Sequence, residues 1–163
     1  MEGPMNIIGK ISSILIFISI PLTVLMTGQQ QEKALKIEVA EPLNYTRIYS
    51  DSSGQSHFGK EEATFQLADY APPAPPISVS EALIADAVSF ISSPSGWFGD
   101  WHPAPRRQFI FMLTGELEVE VSDGEKRKFA PGDVLLVEDT SGVGHISHVV
   151  GKKRAYLAVV PLK

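Results

Sequence analysis

The residues able to do chemistry gather in two short stretches of the second half of the chain: WHPAPRRQ at 101–108 and GDVLLVEDTSGVGH at 132–145. Trp101, His102, Arg106, Arg107 and Gln108 lie within eight positions of one another. A guanidinium fork there suits a carboxylate or phosphate on a small ligand. Strand alternation sends only one of the two arginines inward. If Gln108 faces the interior, Arg106 does so with it and Arg107 faces out. An ion pair of these arginines with Asp100, Glu138 or Asp139 is the competing reading. Trp97 follows Gly96 and Trp101 precedes His102, either as walls of a pocket or as core packing. In the second stretch, alternation places His145 and Ser147 on one face and His148 on the other. Glu138 and Asp139 are neighbours and point oppositely on a strand, which makes them a poor acid–base pair. His57 falls in a turn-rich segment and reads as solvated. There is no cysteine, which removes thiol catalysis, zinc–thiolate sites and disulfides.

These residues need a sheet to position them, and the pattern supplies one. ELEVEV at 116–121 alternates without error, with Leu117, Val119 and Val121 on one face and three glutamates on the other; this is the period of a sheet with one wet face. QFIFML at 108–113, VLLV at 134–137, 145–150 and 155–160 read as further strands. Asp123-Gly124 is a hairpin signal, and Pro131-Gly132-Asp133 turns the chain. Earlier, 44–50, 63–67 and 87–92 are strand candidates, 51–59 is turn-rich, and 80–85 suits a single helical turn. Pro72, Pro73, Pro75 and Pro76 exclude a central strand from that stretch and fit a packed loop. Short strands at regular spacing predict an all-β sandwich or barrel.

A chain of 163 residues is expected to form one such domain. The net charge of -5, without a basic stripe, gives no support to nucleic-acid binding. Lys152, Lys153 and Arg154 read as a solvated turn. Lys10 precedes an uncharged, Ile- and Leu-rich run at 11–26, ended by three glutamines. That reads as a signal peptide or a membrane anchor over 1–28, and places the protein as exported, secreted or membrane-anchored.

The spacing of the second half resembles the cupin superfamily of small β-barrels. The first cupin motif runs glycine, five residues, His-x-His, then Glu and a closing Gly. Gly96, His102 and Gly115 keep that spacing, while Ala104 stands for the second His and Gln108 for the Glu. In the second motif Pro131, Gly132 and Asp133 fit, Glu138 and Thr140 replace a Pro and a Gly, and His145 arrives two residues late. The resemblance implies an all-β, single jelly-roll barrel behind an N-terminal hydrophobic helix or signal segment. Residues 29–95 would give its first strands and Pro-rich loop, and 96–163 the core motifs. It also implies a site inside the barrel, with His102, Gln108 and His145 as candidate ligands of Fe, Mn, Zn or Ni. Two readings follow. In one the barrel binds a small, anionic organic ligand through His102, Arg106, Gln108 and Trp101. In the other it is a metal-dependent dioxygenase or isomerase using His102 and His145. A non-catalytic storage or interaction role is a third, and a homodimer suits all three.

Overall fold

The computed structural model describes residues 36–163. The leader expected at 1–28 lies outside the described residues. Within them every regular element is a strand, and no helix is long and apolar enough to cross a membrane. The strands are β1 (Leu43–Ser50), β2 (Ser56–Ala63), β3 (Phe65–Ala68), β4 (Ile77–Ser80), β5 (Ser89–Ser93), β6 (Phe98–His102), β7 (Gln108–Thr114), β8 (Glu116–Val121), β9 (Lys126–Phe129), β10 (Val134–Val137), β11 (His145–Val150) and β12 (Ala155–Pro161).

Two sheets carry the domain. One has six strands in the order β2-β1-β10-β7-β12-β5, the other four in the order β6-β11-β8-β9. β3 and β4 form a separate ribbon joined by the proline loop. Strands from before the first candidate stretch (β1, β2, β5) and from its last residue onward (β7, β10, β12) thus share one sheet. β1 runs parallel to β10; the other named pairs are antiparallel. The inner faces supply the core: Ile48, Met112, Leu135, Val137 and Leu157 from one sheet, Leu117, Val119, Val121, Phe129 and Val149 from the other. Each such side chain, taken fully out of water, contributes about 1.5–3 kcal/mol. The β8 alternation is realised as read, with Leu117, Val119 and Val121 buried.

Three expectations are corrected. The expected closed barrel is an open sandwich, since no strand ladder joins the two sheets among the described residues. Their edges meet instead through side chains and turns: Ser56 Oγ lies 3.2 Å from Ser122 Oγ, and the Asp123 N–H donates to the Ser56 carbonyl at 3.3 Å. The turn-rich segment ends at Gln55, and the chain then extends as β2, paired with β1 over its whole length. Polar and small residues there mask the strand, whose Ser56 and Phe58 are buried. The helical turn expected at 80–85 is absent: Ser80 closes β4, and 81–84 is irregular.

Candidate functional site

β6 and β11 lie side by side in the four-stranded sheet, with His145 opposite His102 and Ser147 opposite Gly99. Three steps along β6 therefore match two along β11, which is a β-bulge. The Trp101 N–H there bonds the Asp100 side chain at 2.8 Å. In regular register Trp101 would face His145; the bulge puts His102 there instead. The two imidazole rings come to 4.8 Å between centroids, at 51°. Gly144 permits this approach. Its φ is +77°, and a Cβ would stand 2.1 Å from the His102 carbonyl oxygen.

Each imidazole is oriented through Nδ1. His102 Nδ1 lies 2.6 Å from the Asp100 carbonyl oxygen. A carbonyl only accepts, so Nδ1 carries a proton, and in the neutral ring Nε2 keeps a lone pair. His145 Nδ1 lies 2.6 Å from Asp139 Oδ2, with both side chains buried (8% and 0% exposed). Asp139 also ties down the neighbouring loop, its carbonyl accepting from the Ala104 N–H at 3.1 Å.

Both rings line a cavity of about 410 Å³ between the sheets. Gln108, Ser147 and Ser93 add polar groups, and Ile110, Leu117, Val137, Leu157 and Val159 form apolar walls. The Gln108 side chain makes no hydrogen bond to another described residue. Trp97 lies against the cavity, over Gly99: a Cβ at Gly99 would stand 2.6 Å from its indole.

His102, Gln108 and His145 are thus brought together as the sequence suggested; Arg106 and Trp101 are not among the cavity walls. Residues 105–107 form a bend before β7 begins, so alternation does not reach back to Arg106. Its guanidinium, largely exposed, stands 3.8 Å from Asp86. Arg107 pairs with Glu138 at 2.8 Å, and Arg47 pairs with the same carboxylate. Burial pushes Glu138 up, yet Arg107 and Arg47 together hold it below its ordinary value. Trp101 is displaced outward by the bulge, 41% exposed. His148 faces outward as expected, 3.7 Å from Glu118. His57 is no loop residue: it stands on β2 between Asp51 (3.1 Å) and Asp123 (2.7 Å). Asp139 is the site residue that sequence reasoning missed. Its only signal is an acid six positions before His145, beside Glu138, and strand parity says nothing once the chain leaves β10.

No family model matches this chain, and no curated protein matches it in sequence. Solved structures do. A Cupin 2 conserved barrel domain protein from Salinispora arenicola CNS-205 is similar at 20% identity and a TM-score of 0.40, over 62% of this chain and 76% of that one. The Cnp3 cupin domain of Schizosaccharomyces pombe is similar at 12% identity and 0.38, over 76% and 86%. A putative ethanolamine utilization protein Q from Salmonella typhimurium LT2 is similar at 17% identity and 0.36, over 76% and 98%.

Ala104, at the position where the motif expected from the sequence would carry a second histidine, is buried at 4% exposure beside the cavity. A methyl group stands where a ligand would. The donors left are two imidazole Nε2 atoms and the neutral amide of Gln108. Among the described residues no three His, Cys, Asp or Glu side chains gather as a metal site would require. Sites that hold Fe, Mn, Zn or Ni firmly use at least three imidazole, thiolate or carboxylate ligands. The set at this site does not meet that requirement.

Proposed function

We propose that this cupin-like domain binds a small organic molecule between its two sheets, with an apolar body and one hydrogen-bonding end. The observation that carries the reading is the cavity of about 410 Å³ on which His102, His145 and Gln108 converge. Small-molecule sites commonly have about 300–1,000 Å³, mostly apolar walls and a few convergent polar groups. With Nδ1 of each ring committed, Nε2 is the atom each ring turns to the ligand, an acceptor in the neutral form, and Gln108 offers both a donor and an acceptor. An anionic ligand loses support because both arginines are engaged outside the cavity. The ligand favoured instead is neutral, with a hydroxyl at its polar end.

The test is thermal stabilisation of the full chain in detergent by matched alcohols, phenols and carboxylates of similar apolar size. Stabilisation by the hydroxyl compounds, weakened in a His145→Ala, Gln108→Ala variant, is expected. No stabilisation by any of them would remove the reading. The metal-dependent alternative keeps one favourable feature, since Nδ1–H donation by both rings is how metal-bound histidines are oriented. Elemental analysis decides it: near-stoichiometric metal, lost on His102→Ala, His145→Ala substitution, would restore that alternative.

The apolar run at 11–26 supports export or membrane anchoring. Recovery of the native protein in the soluble cell interior, leader intact, would rule this out.

A further inference from the structure

We infer that His145 and Asp139 act as a proton-accepting dyad, taking the hydroxyl proton of a phenol or enol bound in the cavity. This rests on the cavity being a ligand site, and goes on to say what the site does to its ligand. Asp139 has no solvent exposure. One carboxylate oxygen meets His145 Nδ1 at 2.6 Å; the other, Oδ1, has no hydrogen-bond partner among the described residues. A buried carboxylate without a cation is costly. The guanidiniums of Arg47 and Arg107 are bound to Glu138, the residue before Asp139 in the chain. A charge on His145 therefore has a use: proton uptake at Nε2 turns its hydrogen bond to Asp139 into a buried ion pair. Asp139 is the positioning residue, holding the ring with Nδ1–H toward itself and Nε2 available.

The cavity selects the substrate class. Its walls are apolar, and its other polar groups, His102, Gln108, Ser93 and Ser147, carry no fixed positive charge. A molecule that enters neutral, and is charged only by reaction with His145, suits such a lining. The step balances without a further reagent. The ligand O–H bond breaks, its electron pair stays on oxygen, and the proton forms an N–H bond at His145 Nε2. The oxyanion then has that N–H and the Gln108 amide as donors. A phenol or enol is favoured over an alcohol because its acidity lies nearer that of an imidazolium, where proton transfer is efficient.

The probe is 4-nitrophenol, whose phenol and phenolate absorb at different wavelengths. It is titrated into the full chain in detergent at a pH where the free probe is mostly neutral. Bound probe with the phenolate spectrum is expected. His145→Gln should bind it as neutral phenol. Asp139→Asn should lower the bound phenolate-to-phenol ratio by about tenfold or more. Binding of neutral phenol by the parent protein would overturn the dyad and leave the binding site standing. Phenolate persisting in His145→Gln would also overturn it. No binding by the parent would overturn both. If Asp139→Asn fails to fold, the parent and His145→Gln decide the matter alone.

Discussion

His57 is held between two carboxylates, and the three groups shift one another in opposite senses. Hydrogen bonds to Asp51 and then Asp123 push His57 above its ordinary value. Bonds from Ser53 and His57 hold Asp51 well below the usual carboxylate range. The Glu125 backbone N–H and His57 do the same, less strongly, for Asp123. The histidine contribution to stability is complete below the ordinary histidine value and fades as pH rises through the raised one. The carboxylate contributions are complete above their ordinary values and fade as pH falls through the lowered ones. The cluster therefore supports the fold most in mildly acidic solution. Thermal melts between about pH 5 and pH 8 should show the melting temperature falling toward the alkaline end, and His57→Asn should flatten that slope. An unchanged slope would exclude the cluster as its source. Asp139 belongs to the same scale. Asp139→Ala leaves His145 Nδ1–H buried without its acceptor and is expected to cost about 1–3 kcal/mol in denaturant unfolding. A loss below a few tenths would mean that water replaces the carboxylate.

Among the elements, the turn from β10 into β11 positions the site. Residues 139–144 leave the six-stranded sheet with Asp139 and enter the four-stranded sheet with His145, so one hydrogen bond links the two sheets beside the cavity. Gly144 closes that turn, and Ser56 Oγ donates to its carbonyl at 2.6 Å. Gly144→Ala combines a left-handed backbone with a clash against the His102 carbonyl. It should destabilise by more than about 1 kcal/mol and weaken ligand binding even at temperatures where the variant stays folded. Normal binding by a folded Gly144→Ala protein would mean that the approach of the two histidines is not needed. The sequence made the strands legible where alternation was clean, as over 116–121, and where an apolar run met a turn, as over 134–137. It hid β2, because Ser56, His57 and Gly59 carry no β signal and only the pairing with β1 makes them a strand. It also set Arg106 on the cavity side, because parity counting assumes an unbroken strand and the bend at 105–107 breaks the count. Trp101, read as a wall or as core packing, is carried outward by the bulge in β6.

At the scale of the whole molecule, the all-β class followed from strand spacing, whereas openness did not, because no local pattern says whether two sheet edges will join. The edges left over have consequences. Among the described residues β5 ends the six-stranded sheet with only β12 beside it, and presents Phe90 (74% exposed) and Ile91 (46%). Around it on the outer face stand Tyr156 and Phe111, also exposed. An unpaired, apolar edge is a template for a second strand. We propose that the expected homodimer forms there, by antiparallel pairing of β5 with its copy. Sedimentation velocity should show a dimer that Phe90→Lys converts to monomer; a monomer in the parent at every concentration would remove the idea.

The bulge in β6 also makes the site sensitive to chain length in an unusual way. His102 reaches the cavity because one more residue is spent on β6 than on β11 over the same distance. Shortening the strand by deletion of Trp101 would not push His102 away; it would let the same histidine settle opposite His145 in an unbroken ladder. A one-residue gap at this place thus keeps the two histidines opposite each other, although it shifts the Asp100 carbonyl that His102 Nδ1 meets. Lengthening the strand by one more residue would instead move the added residue or its neighbour into His102's place. Paired deletion and insertion variants should accordingly behave as opposites, the shorter chain retaining its ligand and the longer one losing it.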